Sequence, residues 1–140
     1  MKTTKEEIAK IQLERSIILF LDDDDFVSSM TLAGAAEEIL GELARRNNKT
    51  NVLSKLFDWF LSNKQTVKWS YFARNANFTR NELKHFNEIS CEIEVCRSDC
   101  VQLIMRAMIN WKETELQQTP AINRMHKWIC DNQQKYESME

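Results

Sequence analysis

Apolar residues recur along most of this chain every three or four positions, the spacing of one helix face. Ile8, Ile11, Ile18 and Leu21 form such a stripe, and Leu13, Ile17 and Phe20 widen it, which predicts a helix over residues 5–21. A stripe that broad calls for enclosure by other helices. "DDDD", residues 22–25, breaks the pattern. Aspartate accepts backbone N–H bonds at helix starts and suits the positive end of the dipole, so the run reads as a turn and a cap. Carboxylates also bind Mg²⁺ or Ca²⁺. Four consecutive aspartates cannot all turn to one ion, however, and no spaced calcium loop with Gly and Glu follows.

The second helix is the clearest. Phe26, Met30, Ala33, Ala36, Leu40 and Leu43 step by threes and fours over residues 26–46, with Glu37, Glu38 and Glu42 largely off that line. Ala33, Gly34, Ala35 and Ala36 form a small-residue patch. Glycine costs roughly 1 kcal/mol in a helix interior. Close approach of another helix, or of a second subunit, would offset that cost. Arg45 and Arg46 suit the C-terminal end of the dipole. After the loop "NNKTN", residues 51–62 carry Leu53, Leu56, Phe57, Trp59, Phe60 and Leu61, a core or interface helix. Residues 66–76 form a fourth segment with Val67, Trp69, Tyr71 and Phe72. "EIEV", residues 92–95, alternates as an extended segment would, but no second strand-like run lies nearby. Ser98 can cap a helix that continues to about residue 115 through Val101, Ile104, Met105, Met108 and Trp111. Thr119 and Pro120 are a cap followed by proline at the first helical position. They open a last helix that reaches about residue 134.

Composition agrees with this pattern. The 140 residues include only two glycines and one proline, too few for the turns of an all-β fold. We expect one all-α domain over residues 1–140, a bundle of five to six helices, with residues 1–4 and 135–140 frayed. The net charge of −2 gives no global basic field, which argues against a duplex-DNA-binding module. No run approaches the roughly 18 apolar residues of a membrane span. The opening "MKTTKEEIAK" has no apolar core of signal-peptide type. A cytoplasmic protein is expected, with its four cysteines as reduced thiols.

Chemistry concentrates in "RNELKH", residues 80–85. It fits an ordinary helix start: Thr79 caps, Glu82 completes a capping box, and Phe78 with Leu83 form a staple. The same geometry can also carry a reaction. Asn81 and His85 are four apart and share a helix face, and the long Arg80 side chain can reach the same pocket. Histidine moves protons near neutral pH. Arginine holds a phosphate and stabilises its transition state. Asparagine can fix the histidine tautomer or bond the substrate. Those three groups suffice for metal-independent RNA cleavage, in which the 2′-hydroxyl is the nucleophile.

The Arg-Asn-x3-His spacing of Arg80, Asn81 and His85 resembles the motif of the HEPN superfamily, the higher eukaryote and prokaryote nucleotide-binding domains. That resemblance implies a small helical bundle, often an antiparallel homodimer. It implies a metal-independent ribonuclease of the toxin–antitoxin or phage-defence type, or a relative that has lost activity. Arg80, Asn81 and His85 would be its catalytic residues, with no cofactor and no metal, and RNA or an antitoxin-like protein as partner. The chain also resembles a group of small bacterial all-helical proteins without an assigned activity. In these a segment like "FVSSMTLAGAAEEIL" precedes an Asn-x-x-Lys-His element, here Asn81 to His85. The pattern of that group starts at the asparagine and omits the arginine.

A second constellation is Cys96 with Cys100 and His126 with Cys130, each pair four apart. Facing pairs on two antiparallel helices would give a Cys3His set for structural zinc. The spacing lacks the short turns of zinc knuckles, and buried free cysteine is common in cores. Nothing marks any of these thiols as activated for Cys–His catalysis.

Overall fold

The computed structural model describes residues 1–47 and 95–137, and among them the fold is all-α. Four helices follow in order: α1 (Lys5–Asp22), α2 (Phe26–Arg46), α3 (Arg97–Glu113) and α4 (Pro120–Glu137). No strand occurs among the described residues, and no helix there is long and apolar enough to cross a membrane. The helices expected over residues 51–62, over 66–76 and after Thr79 lie outside the described residues. So does most of "EIEV", the segment expected to be extended.

Local sequence sets the helix ends. Thr4 caps α1 through a capping box: its Oγ1 accepts from the Glu7 N–H at 3.2 Å, and Glu7 Oε2 accepts from the Thr4 N–H at 3.2 Å. Asp25 caps α2, accepting the Ser28 N–H at 3.0 Å. Pro120 opens α4 behind Thr119, whose Oγ1 accepts the Ile122 N–H at 3.3 Å. Ser98 is not the cap of α3. Cys96 holds that position without a side-chain cap bond, and Ser98 lies in the first turn. α3 stops at Glu113, two residues before Glu115 takes a left-handed φ of 61°. α4 runs three residues beyond the expected end, to Glu137.

α2 is the central element and packs along both α1 and α3. Its buried set, Met30, Ala33, Gly34, Ala36, Leu40, Gly41 and Ala44 with Ser29 and Glu37, is too wide for a single contact face. The Ala33–Ala36 patch is therefore largely used inside the chain, where Ala33, Gly34 and Ala36 are all buried. Gly41 lets α3 approach, because a Cβ there would stand 3.3 Å from Asn110 Nδ2. The pairings of Ser29 with Cys100 and of Glu37 with Arg106 advance together along both helices, so α2 and α3 run parallel.

The buried face of α1 is Ala9, Leu13, Ser16, Ile17 and Phe20. Ile11, expected on the stripe, is 61 % exposed. Apolar residues occur on several sides of this helix, so periodicity alone does not choose the face. The small residues choose it: Ser16 bonds directly to the α2 backbone, which brings the two helices close. The core that results joins Leu13, Ile17, Phe20, Met30, Leu40, Leu103, Ile104, Trp111, Ile122 and Met125 across all four helices.

Candidate functional site

The aspartate run is a corner that ties all four described helices together. Asp24 takes a left-handed φ of 51°, which aspartate tolerates, and the Asp25 N–H returns to the Leu19 carbonyl at 3.0 Å. The chain thereby reverses from α1 into α2. Asp22 holds Arg124 of α4 through both carboxylate oxygens, at 2.7 and 3.3 Å. Asp24 meets Arg97 of α3 at 3.4 Å. The Arg97 guanidinium also lies over Phe26 and Phe20, 5.3 and 5.9 Å from the ring centroids. Phe20 completes the corner edge-on to Trp128, centroids 4.9 Å apart.

Hydrogen bonds hold two of these carboxyls below the usual carboxylate range, Asp22 chiefly through Arg124 and Asp25 chiefly through the Ser28 N–H. The stability they lend is present above the ordinary carboxyl range and is lost as pH falls from there through the lowered folded values. Arginines and a helix cap engage Asp22, Asp24 and Asp25. That is the turn-and-cap reading of the run.

The interior holds two polar groups that periodicity did not reveal. In the first, the Ser16 hydroxyl donates to the Ser29 carbonyl at 2.7 Å, and the Ser29 hydroxyl donates to the Ser16 carbonyl at 2.8 Å. The Cys100 thiol donates to Ser29 Oγ at 3.1 Å. Burial pushes that thiol up to about 11 from the ordinary value of 9.0, so it stays neutral and unreactive near neutral pH. In the second, Glu37 Oε1 meets Arg106 at 3.1 Å, with side chains only 11 % and 3 % exposed. Asn110 donates to the Glu37 carbonyl at 3.4 Å. Glu37 was expected off the packing line of α2, and the structure places it inside. Its signal in the sequence is position: it follows Ala33 by four and precedes Gly41 by four, and both are buried. These enclosed groups hold α2 against α1 and α3, and no substrate reaches them in this arrangement.

Arg80, Asn81 and His85, the residues that carry the ribonuclease reading, lie outside the described residues. Cys96, Cys100, His126 and Cys130 are described, and they are not gathered. Cys96 is half-buried at the start of α3, Cys100 is buried against Ser29, and Cys130 is exposed on α4. His126 is exposed on the same helix. Among the described residues no three or more His, Cys, Asp and Glu side chains converge as metal ligands. The Cys3His arrangement fails because the Cys100 thiol faces the interior while His126 and Cys130 face outward. Comparison with protein-family models, with curated proteins and with solved structures finds no match.

Proposed function

We propose that the chain is a HEPN-type metal-independent ribonuclease, of the kind found in toxin–antitoxin or phage-defence systems. The observation that carries this reading is the Arg80-Asn81-x3-His85 spacing in a chain whose described residues are all-helical. His85 serves as general acid and base, Arg80 binds the phosphate and stabilises its charge in the transition state, and Asn81 positions the histidine or the substrate. The 2′-hydroxyl of RNA supplies the nucleophile. The homodimer belongs to the same proposal, with the two copies forming one cleft.

A second reading rests on the Asn81-x-x-Lys84-His85 element, which omits Arg80. On that reading the chain is a non-catalytic dimeric module that binds a protein or a nucleotide with a degenerate site. RNA incubated in EDTA with wild type or with His85→Ala separates the two. The ribonuclease reading expects cleavage by wild type and its loss in the variant, with unchanged helical circular dichroism. Intact RNA in both reactions favours the binding module.

A further inference from the structure

His126 and Cys130 take no part in the contacts described so far. Both are exposed, and Cys130 is a free thiol. Trp128, two residues from each, packs inward on Phe20, so His126 and Cys130 lie on the outer face of α4. They stand one turn apart, where Cβ atoms are about 5–6 Å from each other. Tetrahedral zinc takes a thiolate at about 2.3 Å and an imidazole at about 2.0 Å, a span that two such side chains can close.

We propose that this face of α4 is half of a zinc-class site, completed by the same pair from a second copy of the chain. One pair supplies two of the four ligands, and no described residue of the same chain completes the set. One thiolate also leaves the divalent ion with a net positive charge. Two copies related by a two-fold axis supply two thiolates and two imidazoles, which fill the tetrahedron and neutralise the ion. A two-fold contact uses one patch on both subunits, which suits a self-complementary half-site. Lys127 and Asp131, exposed beside the pair, carry opposite charges, so an antiparallel partner meets unlike charge. This site is independent of Arg80, Asn81 and His85, and cleavage of RNA in EDTA does not depend on it.

The test is sedimentation of the full chain during zinc titration, under a phosphine reductant that keeps disulfides open. One zinc per two chains is expected, with a rise in sedimenting mass above that of the zinc-free protein, whether that is a monomer or the homodimer of the proposed function. His126→Ala and Cys130→Ser each abolish the rise, and Cys96→Ser retains it. Zinc is also expected to protect Cys130 from alkylation in wild type but not in His126→Ala, which reads the site without any change of mass. Absence of a zinc-driven mass change, binding of one zinc per chain without association, or association that survives either substitution overturns the proposal.

Discussion

The Glu37–Arg106 pair gives the sharpest quantitative expectation. The charges are 3.1 Å apart, with side chains 11 % and 3 % exposed. At an effective dielectric near 20, charges at that distance attract by about 5 kcal/mol. Taking the two ions out of water costs several kcal/mol each, so the intact pair contributes little net stability. Removing one partner is different, because it takes the ion-pair partner from a buried charge, at about 3–5 kcal/mol. Glu37→Met and Arg106→Met should each lose that much in urea denaturation followed by circular dichroism. The double variant replaces both ions by apolar side chains and should lose far less than the sum, with a coupling above about 2 kcal/mol. Single losses below about 1 kcal/mol, or a double loss equal to the sum, would refute the argument that the pair is buried and interdependent.

Other expectations follow from particular contacts. Phe20→Ala removes a side chain only 2 % exposed, together with its ring contacts, and should cost about 3–5 kcal/mol; a urea midpoint near that of wild type would contradict this. Ser29→Ala takes the donor from the Ser16 carbonyl and the acceptor from the Cys100 thiol, at about 1–3 kcal/mol by the same assay. Cys100 makes stability fall at alkaline pH. The unfolded thiol ionises from the ordinary value of 9.0, while the folded one keeps its proton to about 11. The native state therefore binds more protons in that window. The stability is fully present below 9.0 and is lost as pH rises through about 11. Two pH units amount to roughly 2–3 kcal/mol, and the difference between wild type and Cys100→Val across the window should show that slope.

Much of the fold could be read locally. The ends of α2, the turn at residues 22–25 and the Thr119–Pro120 start are all set by neighbours within a few residues. What escaped depends on distant partners. Glu37 resembles a solvated residue until Arg106, 69 positions away, is placed beside it. The same holds for the buried serines, since Ser16 and Ser29 meet only after the corner has formed. Periodicity puts Ile11 on the apolar stripe because α1 is apolar on several sides, and only the crossing with α2 decides which side is enclosed. For the candidate site, the Arg80, Asn81 and His85 spacing is legible because it lies within six residues. Whether those three groups converge across a cleft or a two-fold axis depends on tertiary packing, which local spacing does not encode.

The most direct measurement compares two oligonucleotides in EDTA, one RNA and one carrying a single 2′-deoxy substitution at the cut position of the first. The account expects the RNA to be cut to a 2′,3′-cyclic phosphate end, the deoxy linkage to survive, and His85→Ala to cut neither. An uncut RNA, or equal cutting by wild type and His85→Ala, would contradict it.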